Sequence, residues 1–197
     1  MWTSLTTPVD TLPVTRPQFE ERWTTAAKAA AAEKDNAGRN ACSRLLAVDA
    51  GLRAGIAVYG SHGRLERYRS TNFGSVKRLR SAVYGVMSDV DGLERVVIEG
   101  GGAVAEPWMR EAKRRGLVSS RVQAGEWRDL LLLPRNRRTG AAAKEQADEL
   151  ARRVIEWSEA SRPTSLRHDA AEAILIGLWG VLEAGWLPKL PETLEPG

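Results

Sequence analysis

A single cysteine, Cys42, is all the thiol that the 197-residue chain contains. One thiol excludes an internal disulfide framework and a cysteine-based zinc cluster, and Cys42 reads as a small residue just ahead of the first strand. No apolar run approaches the roughly 20 residues that a bilayer-spanning helix needs, so no membrane partner is expected. There is no internal repeat. Strong charge of either sign is absent too: the formal net charge is +4 and the isoelectric point about 9.5, a slight bias towards acidic partners such as nucleic acid. What remains is ordinary globular composition, 43% hydrophobic and 27% charged, enough for one domain with extra tails and little room for a second. The seven tryptophans are a high count that core and helix packing explains.

Residues 1–42 read as a leader, partly helical or disordered. Residues 1–16 carry Thr and Pro with little pattern, and an Ala- and Glu-rich stretch from Pro17 favours helix without a broad apolar face. The leader's acids count against an intact organelle transit peptide, while one already trimmed stays open. Residues 43–187 form the folded domain, and 188–197 a flexible Pro-rich tail.

Within the domain, Leu45 to Val48 and Gly55 to Tyr59 are short apolar runs joined by small residues and two glycines, the pattern of a tight hairpin. A third antiparallel strand follows over 64–71. Ser75 caps a helix to about Val90, with Val76, Leu79, Val83 and Val86 on one face. Arg95 to Glu99 is a short buried strand, followed by a helix over 106–115, a strand over 118–124, a short helical turn ending at Pro134, and two long helices over 141–158 and 168–184. The expected fold class is therefore α/β, a five-stranded mixed sheet flanked by helices.

Asp49 and Glu99 each end an apolar strand and each precede small residues or glycine. Alone, Asp49 suits a turn that it caps itself, or a divalent metal. If the two strands are neighbours, both carboxylates emerge at one edge of the sheet. Asp169 and Glu172 stand at i and i+3 on one face of the last helix, with alanines between them that allow close approach. Either acid alone could simply complement the helix dipole. That explanation does not reach the two strand-end acids. Carboxylates converging away from water need cations, which argues for Mg²⁺. Two such ions about 3.5–4 Å apart activate water and stabilise the leaving oxygen of a phosphodiester.

These motifs resemble the RuvC group of Holliday-junction resolvases within the RNase H-like fold. Ala47-Val-Asp49-Ala-Gly51 is similar to that group's "IDPG", Val96-Val-Ile-Glu99-Gly100 to its "IE" strand, and His168-Asp-Ala-Ala-Glu172-Ala-Ile-Leu-Ile-Gly177 to "DAADALAIA". Ala143-Lys144-Glu-Gln-Ala147 is similar to "EKSQV". The resemblance runs from Arg44 to Trp186 in family order, and the stretch from Gly125 to Ala173 looks most like the monokaryotic-chloroplast branch. It implies an RNase H-like nuclease domain and a homodimer that resolves four-way DNA junctions by symmetric paired nicks. It further implies two Mg²⁺ per active site, for which Mn²⁺ can substitute, and no nucleotide cofactor. Asp49, Glu99, Asp169 and Glu172 are implied as metal ligands and Lys144 as a catalytic cation near the scissile phosphate. His168 could support the metal ligands or serve as an alternative ligand; the plainer reading is an exposed helix-start histidine. The compartment implied is the chloroplast nucleoid, or a bacterial cytoplasm if the plastid branch is wrong. Two departures stand out: Glu172 replaces a shorter aspartate, and Gly100-Gly-Gly102 stands where bacterial members carry an aromatic wedge.

Junction phosphates call for basic groups near the acids. Candidates are Arg135, Arg137 and Arg138, then Lys113, Arg114 and Arg115, with Arg53 and Arg128 weaker; Gly101 would allow close backbone approach. Three other readings compete. An actin- or sugar-kinase-like ATP module needs a second domain and no paired acids on its last helix. A ribonuclease for RNA–DNA hybrids or a flap cutter shares the chemistry. A non-catalytic junction-binding nucleoid protein would leave four acids unexplained.

Overall fold

The computed structural model describes residues 43–132 and 140–195; the expected leader and the loop carrying Arg135, Arg137 and Arg138 lie outside them. Five strands form one sheet in the order β3-β2-β1-β4-β5. Strand β1 (Arg44–Asp49) pairs antiparallel with β2 (Arg53–Gly60), which pairs antiparallel with β3 (Leu65–Asn72). On its other side β1 runs parallel to β4 (Leu93–Glu99), and β4 parallel to β5 (Val118–Val122).

The central position of β1 follows from its sequence. Leu45 and Ala47 point into one core and Leu46 and Val48 into the other, so a continuous apolar run is needed rather than an alternating one. At the sheet's margin β3 has the opposite character: Glu66, Arg67 and Arg69 are exposed, and such charge discourages further strand addition. One face is covered by α1 (Val76–Ser88) and α2 (Gly102–Arg114). Ser75 caps α1 by accepting from the Arg78 amide at 3.3 Å, and Leu79, Val83, Val86 and Met87 supply its buried stripe.

The opposite face carries α3 (Ala124–Leu131), α4 (Gly140–Trp157) and α5 (His168–Glu183). Helix α5 is buried from Ala173 through Leu182, an all-round apolar segment that fits only between the sheet and α4. Small residues set its depth. A β-carbon on Gly177 would lie 2.3 Å from the Tyr59 ring, and one on Gly180 2.9 Å from Val97. The Tyr59 hydroxyl, wholly buried, donates to the Ile174 carbonyl of α5 at 2.7 Å, and burial pushes its pKa well above 10. Tyr59→Phe should therefore lower unfolding stability by about 1 kcal/mol in urea titration, with the fold retained.

Three expectations change. Helix α2 starts at Gly102, not Glu106, because Gly101 serves as its extended N-cap, and Gly102 takes the positive φ of +58° that a side chain disfavours. Strand β5 stops at Val122, since the Gln123 amide is captured by the Glu126 carboxylate at 3.0 Å as α3 begins. Within the tail expected to be flexible, Leu194 is fully buried in a short 3₁₀ turn (Glu192–Leu194), and Arg153 donates to the Thr193 and Glu195 carbonyls. A leucine with a core to enter outweighs the prolines around it.

Candidate functional site

One register row crosses the whole sheet. Ser70 on β3 stands opposite Gly55 on β2, Gly55 opposite Asp49 on β1, Asp49 opposite Glu99 on β4, and Glu99 opposite Val122 on β5. Side chains of one row share a face. Alternation along β1 and β4 sends Asp49 and Glu99 the same way as Leu45, Ala47 and Val97, towards α5. The two strand-end acids are thus adjacent because their strands are parallel neighbours. The Ala50 amide, donating to the Glu99 carbonyl at 2.9 Å, fixes the two strand ends together.

The first turn of α5 comes down on this row at Gly55. A β-carbon there would lie 1.8 Å from the Asp169 carbonyl oxygen and 2.4 Å from its carbon, so only a glycine admits the helix. Close backbone contact sets Asp169 beside Asp49, and one turn of helix brings Glu172 to the same region. The Ser70 hydroxyl donates to Asp169 Oδ2 from the far side of Gly55.

Helix α3 supplies the remaining partners. Trp127, fully buried, donates its indole N–H to Glu99 Oε2 at 2.5 Å. Next to it, Arg128 reaches Glu172 Oε1 through Nη2 at 2.6 Å, with its guanidinium 4.9 Å from the Trp127 ring centroid. His168 opens α5 between two carboxylates: its Nδ1 lies 3.2 Å from Asp148 of α4 and its Nε2 3.5 Å from Glu172.

Asp49 carries the electrostatic signature of this crowding. Its pKa is raised from 3.8 to about 7, first by burial, then by Glu172, Glu99 and Asp169, with Arg128 pulling the other way. Burial also raises Glu99, opposed by the Trp127 hydrogen bond, while Glu172 raises it further. Four neighbouring carboxylates are hard oxygen donors of the kind that suits Mg²⁺ or Mn²⁺. Among the described residues, however, no three His, Cys, Asp or Glu side chains stand close enough to hold a metal as placed. Ser70 donates to Asp169, Trp127 to Glu99 and Arg128 to Glu172, so each of these acids is engaged by a protein donor, and the all-oxygen donor set is chemically of the kind that takes a divalent cation.

The structure treats the expected residues unequally. Asp49, Glu99, Asp169 and Glu172 are brought together, with His168 beside them. Arg128 joins them as a carboxylate partner. Lys144 is exposed on α4, one turn before Asp148, and the cation whose charge eases Asp49 is Arg128. Lys113, Arg114 and Arg115 are not beside the acids. They end α2 near the start of β5, at the opposite end of the sheet from Glu99, where Arg114 and Arg115 pair with Glu111 and stack on Tyr84. Gly101 caps α2 two residues after Glu99, with nothing within 4 Å of where a β-carbon would be.

Sequence reasoning missed Ser70, Trp127 and Asp148 as partners of the acids. A serine on a polar edge strand carries no signal by itself. Trp127 and Asp148 become visible only once α3 and α4 are docked.

Comparison with known proteins agrees on the fold. A structure of Thermus thermophilus RuvC in complex with a Holliday junction substrate superposes with a TM-score of 0.52 at 17% identity, covering 72% of this chain and 94% of that one. A second Thermus thermophilus RuvC structure gives the same TM-score at 20% identity, covering 72% and 95%. No protein-family model matches the chain, and no curated protein matches it in sequence. The chain has an α/β fold of the RNase H-like kind, a five-stranded mixed sheet flanked by helices.

Proposed function

We propose that this chain is a divalent-metal-dependent nuclease that nicks four-way DNA junctions. The observation that carries the reading is the register row: two strand-end acids side by side, with two more delivered above them by the first turn of α5. The RuvC likeness in fold, one example of which holds a Holliday junction, supports the choice of substrate. Asp49, Glu99, Asp169 and Glu172 would hold the cations. When bound, those cations supply an activated water and counter-charge for the leaving 3′ oxygen.

The chain's own residues do the rest. Trp127 aims Glu99 and Ser70 aims Asp169, each by one hydrogen bond. Asp148 steadies His168 against Glu172. The exposed Lys144 on α4 would meet the phosphate backbone, as would Arg135, Arg137 and Arg138 just ahead of it in the chain. Paired nicks require two sites, so the reading includes a homodimer. The chloroplast nucleoid or a bacterial cytoplasm is its setting.

Incubation with a synthetic four-way junction, a flap and an RNA–DNA hybrid, each in Mg²⁺ or EDTA, tests the proposal. Paired nicks in the junction alone, lost in EDTA, are expected. Equal cutting of the hybrid would replace the resolvase with a general nuclease. Tight junction binding without cleavage in either buffer would leave a structural DNA-binding protein.

A further inference from the structure

Resting on that nuclease reading, we propose that Arg128 is a built-in cation that holds Glu172 until a phosphodiester takes over its guanidinium, so that DNA arrival raises the metal affinity of the acid centre. Four observations meet at this residue. Arg128 Nη2 lies 2.6 Å from Glu172 Oε1, a charge-assisted contact on a carboxylate whose side chain is only 14% exposed. Arg128 is itself 34% exposed, so one side of the guanidinium meets solvent and an incoming anion. Its plane rests near the face of Trp127, a fully buried ring pinned to Glu99, which gives the arginine a rigid platform on which to turn. And the other Glu172 oxygen, Oε2, has His168 Nε2 3.5 Å away, so both oxygens of this acid have protein partners.

Competition follows from charge. Glu172 cannot give its full field to a divalent cation and to the guanidinium at once, so each weakens the other's hold. A phosphate is a better geometric match for the guanidinium fork than a single carboxylate oxygen, because it can accept two parallel N–H bonds. A scissile phosphate at the acid row would thus draw Arg128 off Glu172 and stand next to the metal site that it has just released. Linkage makes the effect reciprocal: metal would tighten DNA binding by the same factor.

The test is Mn²⁺ binding by the full chain, read by calorimetry with the Mn²⁺ electron-spin resonance signal as a second measure. Wild type, Arg128→Gln, Arg128→Lys and Asp49→Asn are compared, alone and with a four-way junction carrying non-hydrolysable linkages; a thermal melt shows that each is folded. Arg128→Gln should bind Mn²⁺ roughly fivefold to tenfold more tightly than wild type without DNA. The junction should tighten Mn²⁺ binding by wild type and leave Arg128→Gln unchanged. Arg128→Lys, which keeps the charge and loses the fork, should stay near wild type without DNA and respond weakly to it. Unchanged or weaker Mn²⁺ binding by Arg128→Gln, with Asp49→Asn still abolishing it, overturns the gate and spares the nuclease reading. Mn²⁺ binding that is absent in wild type, or indifferent to Asp49, overturns both.

Discussion

Asp49→Asn should lose junction cleavage by at least about a hundredfold and yet melt at a higher temperature than wild type in EDTA at pH 8. The two halves of this result have one cause. Asp49 is partly buried beside Glu172, Glu99 and Asp169, and its pKa is raised from 3.8 to about 7 by burial and by those neighbours. An acid whose folded-state pKa lies above its unfolded value ionises more readily in the unfolded chain, so it destabilises the folded state as pH rises. Below pH 4 the carboxyl is neutral in both states and contributes no penalty. Between pH 4 and 7 the penalty grows, and above 7 it is complete, reaching a few kcal/mol by the usual conversion of about 1.4 kcal/mol per pKa unit. Asparagine keeps the shape and removes the charge. The stability gap between variant and wild type, followed by thermal melts in EDTA, should be near zero at pH 4 and open towards pH 8. Adding Mg²⁺ should close it by stabilising wild type alone. A variant less stable than wild type at pH 8 in EDTA would mean that Asp49 is not crowded by like charge.

The second large effect lies in a residue with no functional group. Gly55→Ala should unfold the protein or destabilise it by on the order of 3 kcal/mol, with cleavage lost in whatever remains folded. The added methyl would stand 1.8 Å from the Asp169 carbonyl oxygen and 3.0 Å from the Ala170 nitrogen. Both belong to the backbone of α5, which is clamped along its length by Tyr59, Leu45 and Val97 and cannot retreat locally. Asp169 and Glu172 would move with it. Gly85→Ala is the control: it is exposed within α1, has nothing within 4 Å of the new atom, and should gain about 0.5–1 kcal/mol from helix propensity. Urea titration of the two variants separates a steric effect at Gly55 from a general intolerance of glycine replacement. Equal, small shifts in both would show that α5 does not press on β2.

How much of this was legible beforehand depends on whether the signal is local. Apolar runs ending in Asp49 and Glu99, two strands joined by a small-residue turn, and an apolar helix opening on Asp169 and Glu172 are all periodicity and punctuation, and they define the α/β architecture and the four acids without help. Helix and strand limits failed where glycine was taken for a loop, as at Gly102, or where prolines hid a leucine with a core to enter, as at Leu194. The partners of the acids were decided by docking alone. Ser70 is the sharpest case. A one-residue bulge at Val58/Tyr59 shifts β3 against β2, so that Ser70 faces Gly55 where an unbroken hairpin would put Arg69. Side chains alternate between faces, so that single slip determines whether the Ser70 hydroxyl or the Arg69 guanidinium lies on the face that Asp169 meets. Arg128 is similar: its sequence marks it as one more surface cation, and only the packing of α3 against α5 seats it on Glu172. Residue type and spacing along the chain determined which groups could do chemistry. Tertiary contacts between elements far apart in sequence decided which of them hold one another, because those pairings depend on register and helix depth that no local pattern encodes.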